Sequence, residues 1–454
     1  MANLSLPNDW QTRPHQQDFF RYMLQGGLDN KRAVEVWHRR AGKDSCCLNL
    51  SAVASQMRVG TIWHMLPTLK QGRKAIWDGI DFKGRRMIDQ AFPKEMREGV
   101  NNSEMQIRFK NGSVYQVVGS DNYDSLVGTN PVGVIFSEYS IADPAAWDYI
   151  RPILAENNGW AAFIYTPRGK NHGKRLYDMA LTNSRWHCDL LTVETTRRED
   201  GSRVISEQAV QDERDAGMSE EKIQQEFYCS WDSGMEGAFY TAELNRCSQE
   251  GRMGDFPHDP EQPCQTFWDI GFRDRTVILI TQRDRNGNPI VVDVIHNRNK
   301  PLDFYIKELK ETGFIFEEHW GPHDMNNTDW VTGKTRVEMA ANFGLNVEIV
   351  PKLSREDGID ATRAMLRKMK FNTENPNVQM LVDALYAYRR EWDEKLNRFR
   401  DQPLHDWASD YADSVRYLSV GWREEGHSMS RKTGNARVRR TNVKRSIGSN
   451  RRAR

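Results

Sequence analysis

The stretch VEVWHRRAGKDSCC, Val34–Cys47, carries the strongest fold signal in this chain. It reads as an apolar strand, a turn that ends in Gly42-Lys43, and a run of small residues that can begin a helix. This is the order of a P-loop, in which backbone N–H groups and a helix N-terminus face phosphate and the lysine reaches the β- and γ-phosphate oxygens. Trp37, however, stands where the first glycine of the loop is expected, and Asp44 where Ser or Thr contacts magnesium. Taken alone, the stretch is equally consistent with an ordinary strand-to-helix turn.

Length and composition limit the class of protein. A chain of 454 residues is too long for one ordinary domain, and its length favours two or three. With 38% hydrophobic and 28% charged residues and a mean hydropathy of −0.75, the composition is typical of a soluble globular protein. No apolar run approaches the roughly 18 residues of a membrane span, and the N-terminus lacks the pattern of a secretory signal. Six cysteines without C-x-x-C spacing favour neither zinc binding nor disulfides and suit a reducing cytoplasm.

Charge divides the chain into a mildly acidic body and a basic tail. From Gly426 onward there are ten Lys and Arg residues and no acid, so the overall net charge of +1 leaves −9 for residues 1–425. The tail, 426–454, is rich in Arg, Ser, Asn and Gly and nearly free of apolar residues, which predicts disorder until it binds a partner. We interpret it as an interaction arm for DNA phosphates or for a protein, and a merely solubilising end is the alternative.

Two sets of strand-like segments predict two α/β domains. The first set is AVEVWH, VGTIWHML, MQIRF, SVYQVVG, PVGVIF and AAFIYT, with Asn-Gly in FKNGSV predicting a hairpin. The second set is QTFWDIGF, TVILITQ, PIVVDVIH and HWGPHD, followed by helical segments. Between the two sets, 205–228 is polar and helical with few apolar anchors. We therefore expect a first domain over 1–204, a small helical linker subdomain over 205–234, a second domain over 235–425, and the tail.

Three further features favour a nucleotide site at the loop. GVIFSEYS is an apolar strand that ends in Glu138, where NTPases place the carboxylate that orients the attacking water. AAFIYTPRGKNH puts Thr166 at the end of another strand, in a position to sense the phosphate. RPHQQ puts Gln16 just ahead of the first helix, where an amide can contact an adenine edge. Each feature is weak alone, but their order and spacing together are specific.

The combined pattern resembles a known family. The order of RPHQQ, WHRRAGKD, HMLPTLKQGRKAIWD, VIFSEYS and IYTPRGKNH is similar to the large terminase subunits of tailed phages, and the resemblance spans about 10–420 of the chain. Those proteins are motors that package DNA with an ASCE-type P-loop ATPase and cut it with an RNase H-like nuclease. For the ATP site the resemblance implies adenine reading by Gln16, phosphate contact by Arg39, Arg40 and Lys43 in the loop with Gly42, catalysis by Glu138, and coupling of hydrolysis to movement by Thr166.

Two departures from the family pattern occur together. Position 137 is Ser where Asp-Glu is the more usual pair, and position 44 is Asp where Ser or Thr is usual. Magnesium prefers oxygen ligands in a near-octahedral shell. A carboxylate on the loop and a hydroxyl on the strand preserve both ligand types, so we hypothesise an exchange in which Asp44 supplies the charge that Ser137 lacks. A loop in which Ser45 takes the ligand role is the alternative. On balance, the opening stretch is a variant ATP site.

A second group of acids predicts metal-dependent cleavage. Asp269 lies on the strand of FWDIGF, Asp324 follows a strand in GPHDMN, and PLHDWASDYADSVRYL spaces Asp406, Asp410 and Asp413 four and three apart, on one face of a predicted helix. These like charges repel, so a cation is expected beside them, and a solvated acidic face is the alternative. Acids at two strand ends and one helix are the arrangement of RNase H-like nucleases, in which two metal ions activate water and stabilise the leaving oxygen.

The terminase resemblance assigns these acids and implies partners. YADSVRY is similar to the family's Ala-Asp-Ala-x-Arg-Tyr pattern, which points to Asp269, Asp324 and Asp413 as ligands of Mg²⁺ or Mn²⁺ and leaves the role of Asp410 open. The implied partners are ATP, double-stranded DNA, the portal protein and the small terminase subunit. The resemblance further implies a ring on the portal, often of five chains, in the host cell cytoplasm and transiently on the procapsid, without a membrane.

Two other functions remain open from the sequence. A DNA repair or recombination helicase-nuclease would combine the same two chemistries without a capsid partner, but no second RecA-like domain follows the linker. A nuclease or assembly factor whose nucleotide site only binds would tolerate the departures at Asp44 and Ser137.

Overall fold

The computed structural model describes residues 6–423, except 82, 127, 233, 272–273, 329–332 and 394–397. The basic tail predicted over 426–454 therefore lies outside the described residues. Within them the chain forms one large sheet, then two linker helices, then a second large sheet. We call the corresponding parts the first unit (6–204), the linker (205–234) and the second unit (235–423). The order of elements confirms the predicted α/β fold class, whereas the domain boundaries themselves stay predictions.

The first unit contains a mixed sheet with helices on both sides. Its strands are β1 (Arg32–Trp37), β2 (Thr61–Leu66), β3 (Arg97–Asn101), β4 (Gln106–Phe109), β5 (Val114–Gly119), β6 (Pro131–Ser137), β7 (Trp160–Tyr165) and β8 (His187–Leu191). Its helices are α1 (Gln17–Leu24), α2 (Lys43–Met57), α3 (Leu69–Gly72), α4 (Met87–Ala91), α5 (Ala145–Glu156) and α6 (His172–Thr182).

Six neighbouring strands of this sheet run parallel in the order β5-β2-β6-β7-β1-β8, and β3 and β4 add an antiparallel edge beside β5. Strand β7 is buried along its whole length, as expected for a parallel strand covered on both faces. It lies between β1 and β6, which is the arrangement of the predicted ASCE-type ATPase. Because the carboxyl ends of parallel strands meet at one edge, the residues that follow β1, β6 and β7 converge there.

The predicted strands and hairpin of the first unit are confirmed. Asn111 and Gly112 connect β4 to β5, with Gly112 at φ +91°, a left-handed conformation that glycine adopts without strain. The sequence did not predict β3 or β8. Both lie at the ends of the strand order and bury less of their surface than the central strands. Neither therefore carries the apolar run by which the other strands were identified.

The linker folds as the polar helical segment predicts. It contains α7 (Glu207–Asp215) and α8 (Glu220–Tyr228), each begun by a serine whose side chain accepts a hydrogen bond from a backbone N–H of the first turn. A small cluster of Val193, Val210, Ile223 and Phe227 holds the two helices to the end of the first unit.

The second unit contains the other large sheet. Its helices are α9 (Thr241–Gln249), α10 (Leu302–Glu311), α11 (Arg336–Asn342), α12 (Arg355–Leu366), α13 (Pro376–Ala387) and α14 (Ser409–Gly421). Its strands are β9 (Met253–Gly254), β10 (Cys264–Asp269), β11 (Thr276–Arg283), β12 (Pro289–Asn297), β13 (Phe316–Gly321), β14 (Val347–Ile349), β15 (Lys370–Asn372), β16 (Arg390–Asp393) and β17 (Arg398–Pro403).

The topology of the second sheet confirms the predicted RNase H-like fold. Its order is β14-β13-β10-β11-β12-β15-β9, with β11 antiparallel to both neighbours and β10, β13 and β14 mutually parallel. Helix α14 packs against the sheet, and its Tyr411, Val415 and Leu418 are buried in the core of this unit. The separate two-stranded β16-β17 sheet was not predicted, because its residues are mainly charged.

One expectation about the acidic helix was wrong. Helix α14 begins at Ser409, so Asp406 lies before the helix and does not share a face with Asp410 and Asp413. Asp406 instead accepts a hydrogen bond from the Ala408 N–H at 3.0 Å and pairs with Arg389 at 3.1 Å. The Asp406 carboxylate accepts a hydrogen bond from the backbone N–H two residues later, and this local bond competes with the helical hydrogen-bond pattern. The helix therefore begins only after Asp406.

The two units are in contact through charged and apolar groups. Arg175 on α6 forms a bidentate ion pair with the buried Asp383 on α13. Ile141, just beyond β6, packs against the core of the second unit, and His172 lies edge-on to Trp407. Among the described residues, no helix has both the length and the apolar character needed to cross a membrane.

Candidate active sites

The Gly42-Lys43 turn has the geometry of a P-loop. Strand β1 ends at Trp37, and α2 begins at Lys43 with Gly42 as its N-cap residue at φ +86°. A side chain at position 42 would be strained by this left-handed backbone, and its Cβ would lie 2.9 Å from the amide nitrogen of Gln16. Glycine is therefore required at this position. The free N–H groups at the start of α2 face the end of the sheet where an anion can bind.

Gln16 holds the Gly42-Lys43 turn in place through hydrogen bonds to its backbone. Its buried side-chain amide donates hydrogen bonds to the carbonyl oxygens of Ala41 at 3.0 Å and Gly42 at 3.3 Å. Its carbonyl oxygen accepts one from the Arg13 N–H at 3.1 Å. The ring of His15 also contacts the Ala41 carbonyl, at 3.0 Å. The Gln16 side chain would have to break these hydrogen bonds in order to contact adenine. Its adenine role therefore stays a prediction, whereas the bonds themselves show that it supports the loop.

Lys43 connects the three strand ends that the sequence singled out. Its Nζ donates a hydrogen bond to the Thr166 hydroxyl at 3.0 Å and lies 3.6 Å from a Glu138 carboxylate oxygen. The Thr166 hydroxyl in turn donates to the Trp37 carbonyl at 3.1 Å. Glu138 directly follows β6 with φ +53°, a strained conformation for a non-glycine residue and one that often occurs at functional positions. Lys43, Glu138 and Thr166 are therefore gathered at one point.

Asp44 and Ser137, the two departures, are hydrogen-bonded to each other. The Ser137 hydroxyl donates to an Asp44 carboxylate oxygen at 2.6 Å, and Nε2 of the buried His64 lies 3.5 Å from the same oxygen. The Nδ1 of His64 bonds the hydroxyl of Tyr115 at 2.9 Å. Burial acts to raise the pKa of Asp44, but His64, Ser137 and Lys43 outweigh it, so the pKa lies below its ordinary value. Asp44 is thus held ionised beside Lys43.

The linker supplies an acid to the loop that the sequence did not predict. Glu226 on α8 accepts a hydrogen bond from Arg168 at 2.7 Å, and Arg39 lies 3.6 Å from its other oxygen. Arg39 also donates its backbone N–H to the Glu226 carbonyl at 2.9 Å. Arg40 is exposed, with φ +72°. Of the two predicted phosphate-contacting arginines, one is therefore paired with the linker and the other is open to solvent.

The second predicted site lies at the ends of β10 and β13 and on α14. Asp269 is the last residue of β10, and Asp324 lies in a short turn, His323–Asn326, that follows β13. Asp410 and Asp413 are three residues apart on α14, and the side chain of Asp410 is buried. The structure therefore brings together all three predicted acids and adds Asp410, whose role the sequence left open.

The four carboxylates repel one another. Burial is the largest cause of the raised pKa of Asp269, and Asp413, Asp410 and Asp324 raise it further. Burial also raises the pKa of Asp410 to about 6, and it raises that of Asp413 although Arg416 opposes the shift. The cations expected beside these acids are present: Arg416 bonds Asp413 at 3.0 Å, and Arg336 lies 3.7 Å from Asp324.

These residues fit a divalent metal ion. Asp324 Oδ1 is buried without a hydrogen-bond partner, so one carboxylate oxygen is held away from water without compensation in the protein. The donor set consists of carboxylate oxygens, the ligands that Mg²⁺ and Mn²⁺ prefer. A two-ion site spreads its ligands over both ions, which are about 3.5–4 Å apart, so its outer carboxylates need not lie within reach of a single ion.

Another group of possible ligand atoms is explained without a metal. Among the described residues, the atoms of Glu35, His187 and Asp189 lie within 4.8 Å of one another. Their geometry is that of a paired histidine on neighbouring strands, because His187 Nδ1 bonds Glu35 at 2.8 Å and its Nε2 lies 3.9 Å from Asp189. Each ring nitrogen of His187 faces a different acid, so hydrogen bonding and charge pairing explain why the three side chains lie together.

We expect Mn²⁺ to stabilise the protein more at about pH 7.5 than at about pH 5. A carboxyl group whose pKa is raised by folding favours the folded state when protonated, so the metal-free stability contributed by Asp410 falls as the pH rises from about 4 to about 6. Mn²⁺ displaces those protons and must compete with them at low pH. At free metal about 100 times the Kd, the stabilisation at the higher pH is about 2.7 kcal/mol. Melting temperatures with and without Mn²⁺ measure it, and equal shifts at both pH values would contradict it.

Similarity to known proteins extends over most of the chain. No protein-family model matches it. The chain is 25% identical over 339 residues to the terminase large subunit of Escherichia phage T5, covering 70% of this chain and 72% of that protein. Among solved structures, the large terminase of a thermophilic bacteriophage, in complex with ADP, aligns with a TM-score of 0.40 and 14% identity over 90% of this chain and 98% of its own. The large terminase nuclease of the thermophilic phage G20c, with bound cobalt, aligns with a TM-score of 0.28 and 14% identity over 40% and 97%.

Of these comparisons, the sequence similarity to the phage T5 protein is the informative one, because it extends through most of both chains. The predicted resemblance to the large terminase subunits of tailed phages is confirmed as a similarity in sequence over most of both chains.

Proposed function

We propose that this chain is the motor and nuclease of viral DNA packaging: ATP hydrolysis in the first unit drives double-stranded DNA into a procapsid, and a metal-dependent endonuclease in the second unit cuts concatemeric DNA. The observation that supports this best is the presence, on one chain, of two separate sites. Lys43, Glu138 and Thr166 meet at the ends of parallel strands, and four interacting carboxylates lie beside an RNase H-like sheet.

In the ATP site, each residue takes the role that its position allows. The start of α2 and Lys43 bind the β- and γ-phosphates, and Glu138 orients the attacking water. Thr166 bonds Lys43 in this structure and is placed to sense the loss of the γ-phosphate. Arg39 and Arg40 lie on the loop and add positive charge toward the phosphates, and Gln16 holds the loop from below, whether or not it also reads adenine.

The contact between Asp44 and Ser137 supports the exchange of a carboxylate and a hydroxyl at the magnesium position. Magnesium bound with ATP neutralises charge on the β- and γ-phosphates. Asp44 is ionised, partly exposed, and fixed by Ser137 and His64, so an oxygen of this carboxylate is available to the ion or to one of its waters. In the rival arrangement Ser45 supplies this oxygen.

The exchange is tested by moving both groups back. We expect Asp44→Ser and Ser137→Asp alone each to lower ATP turnover by about tenfold to a hundredfold, since each removes or duplicates a charge at the ion. The double variant should recover at least part of that loss, because it restores one carboxylate and one hydroxyl. Turnover is measured against magnesium concentration, with Ser45→Ala as the control for the rival arrangement. A double variant no better than either single variant rejects the exchange.

In the nuclease site, Asp269, Asp324 and Asp413 hold Mg²⁺ or Mn²⁺, with Asp410 as a fourth carboxylate. Divalent ions held by these residues would supply an activated water and charge stabilisation for the leaving oxygen of the phosphodiester. The protein orients the carboxylates: Arg416 fixes Asp413, and strand β10 holds the half-buried Asp269 at the centre of the group. Asp324 is the most open of the three, which suits a ligand that meets the substrate side of the site.

We further propose the partners that accompany this function. Double-stranded DNA is the substrate of both units, and the portal protein, the small terminase subunit and a ring of chains on the portal, commonly five, form the assembled motor in the host cell cytoplasm. The support is the sequence relationship to a phage terminase large subunit. The test is ATP-dependent protection of DNA from added nuclease by procapsids that carry the portal. Protection that requires ATP and this chain supports the motor, and cleavage without any protection favours a nuclease or assembly factor.

A further inference from the structure

Arg275 is a buried cation that neither active site uses directly. It directly precedes β11, the strand whose Val277 is the cross-strand partner of Asp269. Only 2% of Arg275 is exposed, and its side chain lies over the ring of Tyr411 at 5.2 Å. An arginine is rarely buried in this way without a compensating charge, because the cost of removing a guanidinium from water is several kcal/mol.

The compensating charge comes from the other unit. Nη2 of Arg275 donates to Oδ2 of Asp143 at 3.1 Å, and Asp143 is itself only 2% exposed. Asp143 lies five residues after Glu138, and its other oxygen accepts a hydrogen bond from the Ala145 N–H at 3.0 Å, at the start of α5. Arg298 contributes a more distant contact to Asp143, at 4.0 Å. The acid is therefore rigidly attached to the first unit and points into the second.

The same arginine is bonded to one of the four carboxylates, that of Asp410, through its backbone. The Arg275 N–H donates to Oδ2 of Asp410 at 3.0 Å, and Nη1 donates to the Trp407 carbonyl at 3.4 Å. Residues on both sides of the nuclease site thus meet at Arg275: the start of β11, which pairs with β10, and the start of α14. Whatever fixes the guanidinium also fixes the N–H that orients Asp410.

We propose that Asp143 of the first unit, acting through Arg275, positions the Asp410 carboxylate for metal binding, so that the ATPase unit completes the nuclease site. Asp143 and Arg275 are positioning residues and do not touch the metal. This inference rests on the proposed nuclease function, since it concerns the same carboxylates. It requires the two units to be docked but does not require ATP to be hydrolysed. A purely structural ion pair would hold the units together without affecting metal binding.

The experiment compares Asp143→Asn, Arg275→Gln and the double variant in the full chain. Each is titrated with Mn²⁺ in plasmid cleavage and, without DNA, in thermal unfolding. We expect each single variant to need about tenfold more Mn²⁺ for half-maximal cleavage, the usual effect of removing a group that orients a metal ligand. Each should also show a smaller Mn²⁺-induced rise in melting temperature. The double variant should match the worse single variant, because both changes break one interaction. ATP turnover is measured for each variant, and turnover at the wild-type rate shows that the first unit is folded.

Asp383→Asn is the matched control, because it removes a different ion pair between the units, that of the buried Asp383 with Arg175, and leaves Arg275 and Asp410 in place. The control should leave the Mn²⁺ dependence unchanged. Arg275→Lys, which keeps the charge but not the fork that spans Asp143 and Trp407, replaces Arg275→Gln if that variant does not fold. An unchanged Mn²⁺ dependence in Asp143→Asn, or an equal change in Asp383→Asn, overturns the inference. If the wild-type chain cleaves no DNA, the proposed nuclease function fails, and the Mn²⁺-induced melting shift alone decides whether Asp143 positions the site.

Discussion

Replacing Asp269 by Asn is expected to abolish metal-dependent DNA cleavage while ATP turnover stays within about twofold of wild type, as for independent sites. Asp269 is half-buried at the centre of the carboxylate group, and its pKa is raised by burial and by repulsion from Asp413, Asp410 and Asp324. Asparagine has nearly the same shape but cannot supply the anionic oxygen that a divalent ion requires. We expect the rate of plasmid nicking to fall on the order of 10³-fold or more, since removal of a group that stabilises charge in the transition state costs about 10²- to 10³-fold by itself.

The same change should raise the stability of the metal-free protein. Burial of a carboxylate beside three others is unfavourable when it is ionised, and the amide removes that repulsion. We therefore expect Asp269→Asn to melt at a higher temperature than wild type without metal at about pH 7.5, and to lose most of the rise on addition of Mn²⁺. Asp255→Asn, an exposed acid of the same unit, is the control. A variant that still cleaves DNA at the wild-type rate would show that Asp269 is not a metal ligand.

Replacing Lys43 by Ala is expected to reduce ATP turnover on the order of 10²- to 10³-fold, the loss that accompanies removal of one preorganised charge from a phosphoryl-transfer site. The Lys43 ammonium lies at the start of α2 and contacts both Glu138 and Thr166, so we expect its loss to affect nucleotide binding and the proposed roles of these two side chains together. Cleavage of DNA should stay within about twofold of wild type, because the proposed nuclease carboxylates lie in the second unit.

Glu138→Gln separates binding from hydrolysis at the same site. The amide keeps the shape of the side chain but cannot orient and activate water as a carboxylate does, so we expect turnover to be lost while ATP still binds. Binding is measured with a fluorescent ATP analogue, and turnover by phosphate release in the presence of DNA. Lys110→Ala, an exposed lysine of the same unit, is the control. If Lys43→Ala hydrolyses ATP normally, the opening loop does not bind nucleotide.

The elements that could be predicted from the sequence are those fixed by local pattern. Apolar runs of five to eight residues indicated the central strands of both sheets, and Glu138 and Asp269 lie directly at the ends of two of these strands. A motif read along the chain therefore found residues that the fold gathers in space. Asp410 could have been predicted as a member of the carboxylate group, because it lies one turn from Asp413 on the same helix.

What could not be predicted depends on contacts between distant parts of the chain. No local pattern distinguishes Glu226 from the other acids of α8, yet it is the one that meets Arg39 and Arg168. The burial of Arg275 against Asp143 is likewise a consequence of how two units dock, and arginine in a sequence indicates exposure far more often than burial. Gln16 was correctly placed at the nucleotide loop, but only the fold shows that its amide is occupied by loop carbonyls.

The contact of Asp44 with Ser137 shows what a departure from a family pattern can mean. The two positions are 93 residues apart in the chain and are joined by a 2.6 Å hydrogen bond. A carboxylate and a hydroxyl are both present at the loop, with their places reversed relative to the more usual arrangement. The two substitutions, seen together, indicated a variant site and not a degenerate one. The contact between their side chains in the folded chain supports that interpretation.

Whether the chain holds two independent active sites is decided by measuring ATP hydrolysis and plasmid cleavage side by side for wild type, Lys43→Ala, Glu138→Ala and Asp269→Ala. We expect that Lys43→Ala and Glu138→Ala lose only ATP hydrolysis and that Asp269→Ala loses only cleavage. Loss of both activities in every variant would contradict independence. A wild-type chain that hydrolyses no ATP, even with DNA and portal present, would contradict the motor and leave a nuclease or assembly factor whose loop only binds nucleotide.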